Sequence, residues 1–295
     1  MLVADIKEII ENNKGDIAFI IGNGINRYST NSNVLSWNNL LIQLWSDVSL
    51  HTLSKIPPGI SLTEFYDILD LENTQNKNLQ TRIVSLMSKW EPLNHHQLIT
   101  NRIRDINAPI LTTNFEDTLA KACKLSLFKT NKGKFTDFYP WTSYYGDSQL
   151  VSPIDGFGIW HINGMINYHR SIRLGLSHYM GSVERARNFI HKRNEENLFS
   201  GKNMNNWRGF KTWLHIIFNK SLFIFGLGLE ENEVFLRWLL IERIKYFKQF
   251  PDRKHKGWYI SKKEDNAGKK FFLERVGFEI IEVDDYSDIY ENIWK

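Results

Sequence analysis

Short runs of consecutive hydrophobic residues alternate along this chain with longer stretches in which hydrophobic residues recur every three or four positions. A short continuous run is typical of a strand buried on both faces of a parallel sheet, whereas the wider spacing is typical of an amphipathic helix. Because strands that alternate with helices pair in parallel through right-handed crossovers, the pattern predicts an α/β fold. We expect a Rossmann-like, mostly parallel sheet with helices on both faces. The predicted strands are residues 17–21, 109–113, 157–161, 221–225, 257–260 and 278–283.

The stretches between the strands add two features to this sheet. Residues 36–107 carry helical spacing almost throughout, which predicts a helical insertion after the first strand. Residues 171–204 are polar and charged, and we expect them to form helix and loop that serve as a lid over a cleft, as an interface or as a plain connection. The prediction is one domain over residues 1–295.

The helix after the fourth strand is predicted in more detail. Asn232 is predicted as its N-cap, because asparagine commonly accepts a hydrogen bond from the first turn of a helix. Four hydrophobic residues follow at helical spacing, so we expect them to lie on one side of the helix. They are Val234, Trp238, Ile241 and Ile244.

Composition and charge exclude several classes of protein. The 295 residues are 42% hydrophobic and 14% aromatic, which suffices for a sizeable core and argues against global disorder. The net charge is +4 without a long Lys/Arg block, so nucleic-acid binding is not indicated. No apolar run is long enough to span a membrane, and charged residues begin early, so we expect neither a membrane protein nor a secretory signal.

The chain has one cysteine, Cys123. One thiol cannot form an internal disulfide or a cysteine-rich zinc site, and the histidines show no zinc-binding pattern. We therefore expect no metal. A single free cysteine also fits the reducing cytoplasm, where we expect the protein to act.

The sequence Gly-Asn-Gly at residues 22–24 directly follows the first strand. Glycines let a backbone approach a phosphate closely and present N–H donors to it, although short Gly-x-Gly turns are also common without a ligand. The fingerprint of dehydrogenases requires a third glycine three residues later, where this chain has Arg27, and no P-loop motif occurs. The pattern therefore predicts a nucleotide-phosphate loop that is neither a dehydrogenase fingerprint nor a P-loop.

Polar or small residues also follow the other strands. Asn114 offers an amide donor and acceptor to a ribose hydroxyl or a water, although an asparagine here is more often a turn or cap residue. His161 ends the third strand, where a histidine is more often a hydrogen-bonded core residue than a catalyst. Residues 226–231 form a second glycine-rich turn, whose acids suit a helix start and whose backbone could border a nucleoside. Because ligands bind at the carboxyl ends of parallel strands, these segments predict one cleft.

In their order along the chain, these motifs resemble those of the sirtuin-like superfamily. Residues 22–26, Gly-Asn-Gly-Ile-Asn, are similar to its first glycine loop, and residues 110–116, Ile-Leu-Thr-Thr-Asn-Phe-Glu, to its Thr-Thr-Asn-Tyr-Asp segment. Residues 161–164, His-Ile-Asn-Gly, resemble its His-Gly motif, and residues 226–231, Gly-Leu-Gly-Leu-Glu-Glu, its Gly-x-Ser-x-x-Asp turn. The resemblance covers nearly the whole chain, from about residue 17 to residue 290.

This resemblance implies that the chain binds NAD+. It implies two catalytic residues: Asn114, which orients the ribose or a water, and His161, which acts as a base or as a hydrogen-bond partner of the ribose. The loop at residues 22–24 would hold the pyrophosphate. The residues implied as NAD+ contacts are Gly22, Asn23, Gly24, Asn26, Thr113, Asp117, Gly226, Gly228 and Glu231.

The chain also departs from the superfamily's motifs. Glu116 stands where relatives have aspartate, with Asp117 beside it, and Asn26 and Gly228 stand where many relatives have serine. Asn163 lengthens the spacing of the His-Gly motif. These departures bear on individual contacts with NAD+ more than on the class of protein.

The missing cysteines narrow the activity that the resemblance implies. Sirtuin deacylases carry a zinc module of four cysteines, which Cys123 alone cannot build. The closer likeness is to the zinc-less bacterial branch, which includes NAD+-degrading effectors of antiphage defence. The resemblance therefore implies hydrolysis of NAD+ to nicotinamide and ADP-ribose. The alternatives are a non-catalytic module that senses NAD+ or ADP-ribose, and a zinc-independent deacylase or ADP-ribosyltransferase.

An unregulated NAD+ hydrolase would kill its host. Since the sirtuin-like region takes up almost the whole chain, no second sensor domain is evident in the sequence. We expect control by homo-oligomeric assembly, by a separate activating sensor subunit, or by both.

Overall fold

The computed structural model describes residues 3–28, 35–131, 133, 135–191 and 195–295. Within these residues, eight strands form one sheet in the order β3-β4-β5-β2-β1-β6-β7-β8. The strands are β1 (Ile17–Ile21), β2 (Ile110–Thr112), β3 (Ser126–Lys129), β4 (Ser143–Gly146), β5 (Ile159–His161), β6 (Ser221–Phe225), β7 (Gly257–Lys262) and β8 (Glu279–Val283). The α-helices are α1 (Val3–Asn13), α2 (Gly24–Arg27), α3 (Trp37–Val48), α4 (Leu62–Glu72), α5 (Leu79–Met87), α6 (Asn94–Asp105), α7 (Thr118–Ala122), α8 (Leu176–Ile190), α9 (Leu214–Asn219), α10 (Val234–Gln249) and α11 (Ala267–Arg275). None of the helices in this part of the chain is long and apolar enough to cross a membrane.

The strand order reverses at β1. The chain runs from β1 to β2 and on to β5 on one side, and then crosses to β6, β7 and β8 on the other, with parallel pairing throughout this part of the sheet. Ile21 pairs with Thr112 of β2 and with Phe225 of β6, so these three strands end level and the loops after them lie side by side. Such a switch point leaves a crevice at the carboxyl ends, where open α/β sheets bind ligands.

Helices cover both faces of the sheet. As a result, alternate residues of the central strands are buried in two separate cores. In β1, Ala18 and Ile20 belong to the core shared with α8, α9 and α10, whereas Ile17, Phe19 and Ile21 belong to the core shared with α1 and α6. Full burial on both faces explains why β1 reads as an unbroken apolar run. The structure confirms the predicted Rossmann-like α/β class.

The helical insertion between β1 and β2 is present as predicted and has a core of its own. Its helices α3, α4 and α5 pack together through residues such as Leu44, Leu69 and Ile83. The helix α4 begins with a capping box, in which Ser61 and Glu64 exchange side-chain and backbone hydrogen bonds. The last helix of the insertion, α6, instead packs on the sheet.

Two strands were not predicted from the sequence. The antiparallel pair β3 and β4 extends the sheet beyond β5. Each strand has only four residues, and β3 is partly exposed at the sheet edge, so neither gives the continuous apolar run expected of a central strand.

The four residues predicted on one side of α10 are not its most buried residues, although Trp238 and Ile244 pack against the core, and the predicted cap was wrong. The helix buries Phe235, Leu239, Glu242 and Arg243, whereas Ile241 is exposed. Buried charged residues break the hydrophobic spacing, which hid the true inner face. The structure places Glu233 at the N-cap, and Asn232 instead accepts a hydrogen bond from the Leu62 amide at 2.9 Å, at the start of α4.

Residues 171–204, which were predicted as a lid, an interface or a plain connection, contain the helix α8. Tyr179, Ala186 and Ile190 of this helix belong to the core on one face of the sheet, so α8 is part of the layered structure. Residues 192–194 of the segment lie outside the described residues.

Candidate functional site

A cavity of about 570 Å³ lies at the switch point. The loops after β1, β2, β6 and β7 form its floor, and residues of α3, α5 and α8 cover it. This volume lies within the range of roughly 300–1,000 Å³ that is usual for small-molecule sites. The strands β2 and β7 are three positions apart in the sheet, so the floor extends over about 14 Å at the usual strand spacing of ~4.8 Å.

The loop at residues 22–24 packs directly against the loop after β6. The Gly24 amide donates to the Gly226 carbonyl at 2.7 Å, and the Gly22 amide donates to the Phe225 carbonyl at 3.2 Å. A Cβ on Gly24 would lie 2.7 Å from the Gly226 oxygen, and one on Gly22 would lie 2.6 Å from it. The two glycines are therefore needed for contact between the loops. Of the three backbone amides, only that of Asn23 makes no hydrogen bond within the described residues.

A buried network of side chains holds this loop in place. Asn26 donates through Nδ2 to Asn23 Oδ1 at 3.0 Å and to Glu116 Oε1 at 2.8 Å. Asn26 Oδ1 is 3.0 Å from His96 Nε2, while His96 Nδ1 accepts from the Leu93 amide. Burial lowers the pKa of His96 to about 3, so the ring is neutral and donates through Nε2. Asn26 thus positions Asn23 and Glu116 and does not itself line the cavity.

Asn114 and His161 come together at the ends of β2 and β5. His161 Nδ1 lies 2.7 Å from the Asn114 carbonyl oxygen. Because a carbonyl only accepts, Nδ1 carries the proton and Nε2 keeps its lone pair. Burial lowers the pKa of His161, which keeps the ring neutral. Neither His161 Nε2 nor Asn114 Nδ2 has a hydrogen-bond partner among the described residues, and Asn114 lines the cavity whereas His161 does not.

The cavity contains a carboxyl group that the sequence motifs did not identify. Glu233, directly before α10, lines the cavity and is hydrogen-bonded to the side chain of Asn163. Burial raises the pKa of Glu233 to about 7, and the hydrogen bond acts against that rise. Its neighbour Glu231, which the resemblance favoured, is exposed and lies outside the cavity.

The β7 end of the cavity is cationic and aromatic. Arg27 and Lys262 line it, both are exposed, and neither forms an ion pair with a described residue. Tyr286 lines the same end, and Tyr290, which is 2% exposed, extends from there to the contact between Gly24 and Gly226. Lys269 is different, because its Nζ is bound by Glu230 at 3.1 Å and by Glu264 at 2.7 Å, which leaves it neutralised.

The structure brings part of the predicted site together. The predicted residues that line the cavity are Asn23, Gly24, Thr113, Asn114, Gly226 and Gly228. The predicted residues that do not line it are Gly22, Asn26, Asp117, His161 and Glu231. Asp117 forms an ion pair with Lys121 at 3.1 Å.

Neither a scan of protein-family models nor a search of curated proteins found a match to this chain. The fold and the cavity define a Rossmann-like α/β protein with a ligand-sized cavity at its switch point. Its function has to be argued from the residues that line this cavity.

Proposed function

We propose that this protein hydrolyses NAD+ at the nicotinamide–ribose bond, giving nicotinamide and ADP-ribose. The observation that carries the proposal is the composition of the two ends of the cavity. One end presents the amide of Asn114 and the carboxyl of Glu233, and the other presents the cations Arg27 and Lys262 beside two tyrosines. An elongated ligand with a reactive sugar at one end and an aromatic, phosphate-bearing nucleoside at the other matches this distribution.

The proposed NAD+ lies along the carboxyl edge of the sheet. Its nicotinamide ribose would be near Asn114, its pyrophosphate across the loops after β1 and β6, and its adenosine towards β7. The free Asn23 amide is the backbone donor left for the pyrophosphate in the first loop. Arg27 and Lys262 would add positive charge, and the exposed ring of Tyr286 would provide a flat surface for the adenine.

The proposed chemistry makes modest demands on the protein. The C–N bond breaks through an oxocarbenium-like state, as in glycoside hydrolysis. Nicotinamide leaves from a cationic ring and departs neutral, so no acid is needed to protonate it. The site has to hold the ribose, stabilise its developing charge and orient a water. Asn114 suits this task, because its Nδ2 has no hydrogen-bond partner to give up among the described residues.

We further propose that the protein is an antiphage effector that acts in the cytoplasm by depleting NAD+. Control would come from homo-oligomeric assembly, from a separate sensor subunit, or from both. If self-assembly activates the enzyme, the rate per molecule rises with protein concentration. A constant specific activity over a thousandfold range of concentration would contradict control by self-assembly.

The activity is tested by incubating the purified full chain with NAD+ and measuring nicotinamide and ADP-ribose over time. Equal amounts of the two products without any acceptor are the expected result. Release of nicotinamide only when an acylated peptide or a protein acceptor is present would instead indicate a deacylase or an ADP-ribosyltransferase.

A non-catalytic sensor of NAD+ or ADP-ribose is the second candidate. The observation that favours it is the position of His161, whose Nε2 is buried and which does not line the cavity. A sensor binds NAD+ and leaves it intact at every protein concentration. Binding measured by calorimetry, together with no nicotinamide release, would decide for this alternative.

Removing the cations is expected to weaken binding of the phosphates. Arg27→Ala and Lys262→Ala should each raise the dissociation constant of ADP-ribose by about 3- to 10-fold at low salt, and by less at high salt because both side chains are exposed and screened. Calorimetry at two salt concentrations measures the change. Lys248→Ala, on the exposed end of α10, is the matched control and should leave the constant unchanged. Wild-type affinity in both cavity variants would rule out phosphate binding at this end.

A further inference from the structure

The carboxyl group of Glu233 is held between two of the loops that build the cavity. Its backbone closes a turn, in which the Glu233 amide donates to the Glu230 carbonyl at 2.9 Å. Its side chain is hydrogen-bonded to the side chain of Asn163, which is 2% exposed. Because a carboxylate oxygen accepts, the amide Nδ2 of Asn163 is the donor in this bond. This bond ties Glu233 to the segment that also carries His161.

Glu233 differs from the other carboxylates around the cavity. Glu116 accepts from Asn26 through one oxygen and from the Thr118 amide through the other. Glu230 and Glu264 are both bound to Lys269. Among the described residues that line the cavity, Glu233 alone is a carboxylate with neither a cationic partner nor a backbone donor on its oxygens.

Glu233 forms no ion pair with another described residue. Tyr179 of α8 faces it, and burial together with the charge of Glu233 raises the pKa of this tyrosine well above its usual range. Asn163, from the β5 side, is uncharged, and no charged side chain of the described residues contributes to the pKa of Glu233. On its own loop, the carboxylate of Glu230 is already paired with Lys269. Glu233 therefore takes up and releases a proton without a fixed counter-ion.

We propose that Glu233 is the general base that activates the water in NAD+ cleavage, an inference that rests on the proposed function. The water oxygen forms a bond to the anomeric carbon of the nicotinamide ribose while the C–N bond breaks, and the bonding pair leaves on nicotinamide. The proton of the water passes to the Glu233 carboxylate and then to solvent. His161, which lies outside the cavity, acts in this scheme by positioning Asn114 through its carbonyl.

The test compares Glu233→Gln with Glu184→Gln, a variant of an exposed glutamate on α8 that does not line the cavity. Glutamine keeps the shape and the hydrogen bond from Asn163 but cannot accept the proton. We expect Glu233→Gln to lower kcat for nicotinamide release by about 10²- to 10⁴-fold with an unchanged dissociation constant for NAD+. Glu184→Gln should keep the wild-type rate. A wild-type rate in Glu233→Gln would overturn the assignment.

Two further measurements keep the assignment testable if the variant folds poorly. The wild-type kcat should rise with pH on an acid limb centred near pH 7, because the base acts only when it is ionised. A kcat that is constant from pH 5 to pH 8 would contradict a general base with a pKa of about 7. In Glu233→Ala, azide should restore nicotinamide release and form the azido-ribose adduct, because this anion attacks without losing a proton. Failure of azide to restore release in a folded variant would indicate a structural role.

These outcomes separate the two proposals. A wild-type chain that releases no nicotinamide at any concentration contradicts both the proposed function and the role of Glu233. An active wild type with a fully active Glu233→Gln variant contradicts the role of Glu233 and leaves the proposed function standing.

Discussion

Replacing Asn114 by alanine is expected to lower nicotinamide release from NAD+ by about 10²- to 10³-fold, the range found when a positioned polar group is removed from an active site. Asn114 is 7% exposed, lines the cavity and has an Nδ2 without a hydrogen-bond partner among the described residues. A buried amide without a partner is unfavourable for stability, since such groups are normally satisfied. The variant should therefore fold as well as the wild type.

The measurement is the initial rate of nicotinamide release for the wild type and Asn114→Ala, with thermal unfolding to establish that both are folded. Asn12→Ala is the matched control, because Asn12 is exposed on α1 and, among the described residues, its side chain bonds only to Glu8. His161→Ala is expected to be inactive as well, since it removes the donor to the Asn114 carbonyl. Wild-type rates in both Asn114→Ala and His161→Ala would refute the assigned site.

Replacing Gly24 by alanine is expected to destabilise the folded protein by about 1–3 kcal/mol through overpacking. The new Cβ would lie 2.7 Å from the Gly226 carbonyl oxygen and 2.3 Å from the Tyr290 hydroxyl. The tyrosine hydroxyl can move, but the carbonyl belongs to a backbone that also accepts the Gly24 hydrogen bond. Relief of the contact therefore requires the loops after β1 and β6 to separate, which widens the floor of the cavity.

Thermal unfolding measures this effect, with an expected fall in Tm of roughly 2–5 °C. Gly228→Ala is the control from the same cavity, because its Cβ would meet nothing closer than Glu230 Cγ at 3.4 Å, an ordinary contact. It should change stability by less than about 0.5 kcal/mol. Equal Tm values for Gly24→Ala and the wild type would mean that the two loops do not pack as described.

The sheet could be predicted from the sequence because its central strands are buried on both faces. That burial produces unbroken apolar runs such as residues 17–21, and alternation with helices then determines parallel pairing. The edge pair β3 and β4 lacks such runs. The inner face of α10 was hidden by Glu242 and Arg243, whose burial depends on partners distant in sequence. Arg243, for example, donates to the carbonyls of Ile217 and Lys256.

The sequence predicted which loops form the cavity better than it predicted which side chains line it. Ligand binding at the strand ends placed the cavity correctly, because it depends only on topology. The direction of each side chain within a loop depends on local backbone geometry. The loop after β6 passes through positive φ at Gly226 (66°) and at Leu229 (50°), and beyond these turns Glu233 lines the cavity whereas Glu231 is exposed. Leu229 carries no sequence signal for that conformation, since leucine rarely adopts it.

The glycines of residues 22–24 show a further limit of prediction from sequence. Their presence predicted a close backbone approach, and the structure contains one, but the neighbour is the Gly226 segment of the same chain. The pattern identifies where the chain needs a residue without a Cβ and leaves open what approaches it. The network of Asn26, His96 and Glu116 joins residues 70 and 90 positions apart from Asn26, so it could not be derived from local spacing.

The central claim is that the cavity at the switch point binds NAD+ and cleaves it with Asn114. The most direct test follows the products formed from NAD+ in ¹⁸O-labelled water by the full-length wild type and by Asn114→Ala, at rising protein concentration. The account predicts that the wild type forms nicotinamide and ADP-ribose in equal amounts, with one ¹⁸O at the anomeric carbon, and that the variant binds NAD+ but forms almost no product. Intact NAD+ at every wild-type concentration, or equal product from both proteins, would contradict it.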